Sequence, residues 1–208
     1  MNIIALILFI LISIFNIIAC NKNKKILIAL TKITLAPLAL VNVLINSNFN
    51  NRIIFLLCLA YALYLIGDIL LLSMKTLLFA LGLSSFLLGH LTFIFIFTLF
   101  NKSYWILLIA LVLLIYPEIL MFRITKNGQE LKIPMRIYSL LMAVFIAFSA
   151  TTLNPLLIFG TSIFTISDSF IARNNCMKKR IFSDGAIMGT YTLALISLSL
   201  GMIIINTL

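Results

Sequence analysis

The feature that most constrains this chain is a succession of apolar stretches, each about as long as a bilayer is thick, separated by short polar breaks. A helix needs about 20 such residues to cross the hydrocarbon core, whereas a membrane strand needs only about 9–11 alternating ones. The stretches fall at about 2–20, 26–45, 52–72, 76–99, 103–121, 133–152, 155–172 and 181–206, which predicts an all-α, polytopic membrane protein with eight transmembrane helices in one bundle. Composition agrees: 63% of the 208 residues are hydrophobic and 10% are charged, against about 45–50% and about 25% in a soluble domain. Eight spans would use about 160 residues and leave only short loops. That excludes a separate soluble domain, a disordered tail and a nucleic-acid-binding module, so residues 1–208 are expected to form one transmembrane domain whose standing partner is the lipid bilayer.

The net charge of +10, from 15 Lys and Arg against 5 Asp and Glu, would suggest an anionic polymer as partner in a soluble protein. Here its distribution decides the reading. The odd breaks between spans hold Lys22, Lys24, Lys25, Lys75, Arg123, Lys126, Lys132, Arg173, Lys178, Lys179 and Arg180, the even ones only Arg52 and Lys102. The odd loops are therefore expected to be cytoplasmic and both termini outside. The run Lys178-Lys179-Arg180 can serve this topology or attract anionic lipid. An isoleucine, asparagine and lysine bias points to an AT-rich bacterial genome, hence the inner (plasma) membrane. Pro155 suits the first turn of its helix, while Pro37 and Pro117 lie inside spans and should kink them. Cys20, Cys58 and Cys176 have neither disulfide nor zinc spacing and read as small apolar residues. Ile17-Ile18-Ala19-Cys20 has the form of a lipoprotein cleavage box, but Met1-Asn2-Ile3 carries no basic side chain before the apolar stretch. A plain first span is the better reading.

Ionisable residues within spans cost at least about 2.5–3.5 kcal/mol each on insertion scales and usually mark function. Lys32, Asp68, His90 and Asp168 stand out. Glu130 falls in a loop, Asp184 at a helix start where a carboxylate suits the dipole, and Glu118 near enough to a helix end to snorkel. Asp68 and Asp168 each lie about four residues, about 6 Å, before a cytoplasmic helix end, with Lys32 about six and Tyr138 about five residues in from the same side. These four can share one layer. His90 is about 14 residues into its span, some 21 Å, so direct contact with the aspartates is not expected and a water chain would be the link. Tyr61, Tyr64 and Asp68 form a polar stripe at helical spacing, as do Thr161, Thr165 and Asp168, and Asp184 shares a face with Tyr191. Gly82, Phe86, Gly89 and Phe93 around His90 suit close helix packing or a lipid slot equally. Bland alternatives stand beside each reading. Either aspartate can simply pair with Lys32, His90 can be a satisfied packing residue, and Tyr138 and Tyr191 can be hydrogen-bonded core.

In these residues the sequence resembles the YhhN family of membrane lysoplasmalogenases. The resemblance rests on Thr31-Lys32-Ile33-Thr34-Leu35-Ala36-Pro37-Leu38, on Leu65-Ile66-Gly67-Asp68-Ile69-Leu70-Leu71-Leu72, and on Phe79 to His90. It continues through Ile133-Pro134 to Tyr138, through Ile166-Ser167-Asp168-Ser169, and ends at Tyr191. Two positions depart from the family pattern: Lys32 is followed by Ile33 instead of proline, and Leu195 stands where a polar residue usually follows Tyr191. The resemblance implies eight spans and hydrolysis of the vinyl ether bond of a lysophospholipid, giving a fatty aldehyde and glycerophosphoethanolamine or glycerophosphocholine, with no cofactor. Such a bond breaks when an acid protonates its β-carbon and water attacks the resulting oxocarbenium ion. The chemistry calls for one carboxylic acid and one carboxylate, and two carboxyls close together in low dielectric do not both ionise easily. Asp68 and Asp168 are the expected catalytic dyad, with the acid unassigned between them. Lys32, Arg173, His90, Tyr138 and Tyr191 are the expected substrate-binding set, Arg173 toward phosphate and Lys32 either toward phosphate or tuning the dyad.

Two other classes use the same charges. A transporter or channel would employ Lys32, Asp68, His90 and Asp168 as a relay, although no repeat relates the two halves. An intramembrane aspartyl protease resembles Tyr-Asp on one helix and Gly-x-Gly-Asp on another, whereas this chain has Ser167-Asp168 and Leu65-Ile66-Gly67-Asp68.

Overall fold

The computed structural model describes residues 3–73, 75–113, 115, 119, 132–176 and 180–207, and among them every regular element is a helix. In chain order these are α1 (Ile3–Asn21), α2 (Lys25–Asn46), α3 (Asn51–Leu70), α4 (Thr76–Leu99), α5 (Tyr104–Leu113), α6 (Lys132–Thr151), α7 (Pro155–Cys176) and α8 (Asp184–Thr207). Six of them, α1 to α4, α7 and α8, are long and apolar enough to cross a membrane. In α6 the apolar part is Arg136–Thr151. Apart from Ile115 and Ile119, the rest of the expected fifth span, with Pro117 and Glu118, lies outside the described residues, as do Arg123, Lys126, Glu130, Lys178, Lys179 and the side chain of Cys176.

Burial shows the solvent for which this surface is built. Ile4, Phe55 and Leu77 are 68%, 66% and 71% exposed, while Asp68, His90, Asn16, Asn42 and Ser149 are essentially buried. An aqueous protein cannot present so much contiguous aliphatic surface; in hydrocarbon that surface is at no disadvantage, and polar groups turn inward. The chain is a polytopic helical membrane protein.

Packing closes a ring through α1, α2, α3, α4, α6, α7, α8 and back to α1; α2 also touches α8, and the described part of α5 packs on α6. The centre is aromatic, with Tyr61, Tyr64, Phe93, Phe97, Phe145 and Phe164 all buried. Polar side chains fix the helix ends. Asn50 Oδ1 accepts from Ile53 N at 3.0 Å and caps α3. Asn154 Oδ1 caps α7 through Leu156 N at 3.0 Å, and its amide donates to Gly201 O at 3.0 Å, tying that cap to α8. The helix α7 runs one turn beyond the expected end at residue 172, and α8 starts at Asp184, later than expected. Asn174 explains both: its Oδ1 accepts from Ile181 N and Phe182 N, and its amide donates to Phe182 O. A polar residue that reads as loop is thus the last helical turn's hold on that loop. Cys20 is buried in α1, with its thiol donating to Asn16 Oδ1 at 3.8 Å.

Glycines let α3 and α4 approach closely, so around His90 the small residues serve packing. A Cβ on Gly89 would lie 2.5 Å from Tyr64 Cε1 and 3.2 Å from Ala60 O, and one on Gly67 would lie 2.7 Å from the Phe86 ring. Gly89→Ala is therefore expected to destabilise the detergent-solubilised protein by about 1–3 kcal/mol, as overpacking does in other cores. A thermal midpoint equal to that of the parent would show that this crossing tolerates the methyl group.

Candidate active site

Six helices each place one polar side chain toward the same interior region. Lys32 stands seven residues into α2, Asp68 in the last turn of α3, and Tyr191 seven residues into α8. Lys32 Nζ lies 3.5 Å from Asp68 Oδ1, and the Tyr191 hydroxyl donates to Asp68 Oδ2 at 2.6 Å. The second group is built alike from α4, α6 and α7. The Tyr138 hydroxyl donates to Asp168 Oδ2 at 2.5 Å, and His90 Nε2 faces the same oxygen across 3.8 Å. That distance is too long for a hydrogen bond but within reach of an ion pair. Each aspartate thus has one tyrosine hydroxyl and one nitrogen base of its own.

Direct apposition of His90 and Asp168 corrects the expectation from depth. Asp168 is eight residues from the end of α7 at Cys176, not four, which carries it about 6 Å further toward the level of His90. The imidazole is held in a slot of rings. Phe145 stacks on it at 4.7 Å between centroids, and Phe164 and Tyr64 meet it edge-on at 4.6 and 5.3 Å. Among the described residues neither imidazole nitrogen finds a hydrogen bond of ordinary geometry, and neither do the hydroxyls of Tyr61 and Tyr64.

Asp68 and Asp168 line one cavity of about 30 Å³ together with Lys32, Phe86, Ser167 and Tyr191, and with an apolar wall of Leu71, Ile171, Ile187 and Met188. A space of that size holds a water or two. Ser167 Oγ donates to Ile187 O at 3.1 Å and so pins α7 to α8 beside the cavity. Arg173 is half-buried in the last turn of α7 and does not line the cavity; five residues beyond Asp168, it points about 140° away around the helix. Asp184 is exposed and pairs with Arg180, so of the two residues sharing that face of α8 only Tyr191 enters the bundle. Among the described residues no three His, Cys, Asp or Glu side chains converge as metal ligands would.

Sequence reasoning did not single out Phe145 and Phe164, because a phenylalanine in an apolar span carries no sign of whether it faces lipid or a histidine. Tyr64 was visible in the stripe with Asp68, though nothing marked it as the ring that borders His90. Ser167 was visible only as the neighbour of Asp168.

Fold and site together define a polytopic membrane protein with an intramembrane polar centre, in which two carboxyl groups and a lysine border a small cavity and a histidine faces one of the carboxyls. No curated protein and no solved structure matches the chain. The chain belongs to the YhhN family, whose model matches residues 27–202, from the start of α2 to the inner part of α8 and hence through every residue of this centre.

Proposed function

We propose that this protein is a membrane-embedded hydrolase that cleaves the vinyl ether bond of lysoplasmalogens, releasing a fatty aldehyde and glycerophosphoethanolamine or glycerophosphocholine, with Asp68 and Asp168 as its acid–base pair. The observation that carries the reading is that these two carboxyl groups, from separate helices, border the same cavity. General acid–base assistance of this kind is worth about 10²–10⁴-fold, and a mostly dry site strengthens it. The cavity accommodates the attacking water. Its apolar wall suits the hydrocarbon side of the substrate and Lys32 the phosphate side. With the lysine- and arginine-rich loops in the cytoplasm, the site opens in the cytoplasmic half of the membrane.

The test is purified protein in detergent with a lysoplasmalogen and, in parallel, the saturated alkyl ether of the same headgroup. Aldehyde is expected from the first alone, because the alkyl ether has no double bond to protonate. Release from neither substrate would overturn the hydrolase reading. Solute flux in proteoliposomes without aldehyde would replace it with a transporter.

A further inference from the structure

The two carboxyl groups are not equivalent. Asp68 Oδ2 accepts from Tyr191 at 2.6 Å, and Oδ1, with no hydrogen-bond partner among the described residues, faces the Lys32 ammonium at 3.5 Å, with the side chain 1% exposed. A cation beside one oxygen and a donor on the other both favour the ionised carboxylate. Asp168 differs. Its Oδ2 takes the Tyr138 hydroxyl and faces His90, while Oδ1 has no protein donor among the described residues, and the side chain is 10% exposed at the cavity. That oxygen can carry a hydrogen and turn it toward a bound ligand.

We propose that Asp168 is the group that delivers the proton and Asp68 the carboxylate that receives one from water, with His90 and Tyr138 as positioning residues that stabilise the charge left on Asp168. This rests on the hydrolase reading above and deepens it. In the first step the Asp168 O–H bond breaks and the π electrons of the vinyl ether form a C–H bond at the β-carbon, leaving an oxocarbenium ion and an Asp168 carboxylate. Water then forms a C–O bond to the α-carbon and gives its proton to Asp68. In the hemiacetal so formed, Asp68 returns that proton to the glycerol oxygen as its C–O bond breaks. Asp168 takes the hydroxyl proton as the aldehyde C=O forms. Both carboxyl groups end as they began, and one water has been consumed.

Lys32 balances the negative charge of Asp68 throughout. Among the described residues, the titratable groups facing Asp168 are Tyr138 on α6, His90 on α4, Tyr64 on α3 and Tyr191 on α8, with Asp68 and Lys32 across the cavity. Of these, Tyr138 and His90 meet the oxygen on which charge develops. The cycle therefore needs Asp168 to start with its proton and Asp68 without one.

The deciding measurement is infrared spectroscopy of the full-length protein in lipid at neutral pH, in H₂O and D₂O, on the parent, Asp168→Asn and the charge-balanced double variant Lys32→Met/Asp68→Asn. A protonated-carboxyl band that shifts in D₂O is expected in the parent and the double variant and absent in Asp168→Asn. A parent without the band, a band that survives Asp168→Asn, or one lost in the double variant overturns the assignment. In parallel, His90→Gln is expected to lower kcat about tenfold with KM little changed and to move the alkaline limb of the kcat–pH profile. An unmoved limb removes His90 from the proposal, since a purely structural role would not alter it selectively. If the parent releases no aldehyde, the hydrolase reading fails, while the infrared band still places the proton.

Discussion

Asparagine at position 68 or 168 is expected to reduce aldehyde release by about 10²-fold or more, the scale of a lost general acid or base, with the helices left in place. The substitution keeps the shape of the side chain and removes its ability to gain or lose a proton, and with it any negative charge. At position 168 the amide closely imitates a neutral carboxylic acid, and its carbonyl oxygen can still accept from Tyr138, which holds Asp168 at 2.5 Å. Stability should hardly change there, so a loss of turnover is chemical. At position 68 the amide carbonyl can keep the Tyr191 hydrogen bond, while Lys32 loses its counter-charge; that ammonium is 12% exposed and partly hydrated. A modest loss of stability is therefore expected at 68 and none at 168. The check is initial rate alongside a thermal melt for each purified variant. Parental rates in both would show that the carboxyl groups are structural; full unfolding of Asp168→Asn would show that its ionised form holds the bundle together.

The architecture was legible because the bilayer imposes a length on every crossing element, and polar breaks such as Asn21 to Lys25 are unmistakable between aliphatic runs. The aspartates, Lys32 and the two tyrosines were legible for a related reason: a polar residue in a span is rare enough to be noticed, and helical spacing shows which of them share a face. Depth along the membrane was less so. Counting residues inward treats helix ends as lying in one plane, but Asn174 keeps α7 helical to Cys176 by satisfying the following loop from inside it, and the level of Asp168 moves accordingly. The partnership of His90 with Asp168 was lost in that error. The ring slot around His90 could not be read either, since Phe145 and Phe164 look like lipid-facing phenylalanines such as Phe55 until the helices are rotated against one another.

Removing Lys32 alone is expected to be more damaging to the fold than removing it together with its partner. Among the described residues, Lys32→Met leaves the 1%-exposed Asp68 with the Tyr191 hydroxyl alone, and an uncompensated buried charge typically destabilises by about 3–5 kcal/mol. Because Lys32 is itself slightly exposed, about 3 kcal/mol is the appropriate expectation. The double variant Lys32→Met/Asp68→Asn removes both charges and their desolvation penalty, and should recover most of that loss, since neutral replacements of buried pairs are often close to neutral in stability. Turnover should recover in neither. Unfolding of the reconstituted protein by temperature or by titrated detergent measures the first quantity, and aldehyde release the second, so the pair separates two roles that a single variant confounds. A Lys32→Met protein as stable as the parent would mean that Asp68 is not held ionised by that ammonium. A double variant that folds and turns over like the parent would reduce the pair to a strut between α2 and α3, and the chemistry would then have to lie with Asp168 and His90 alone.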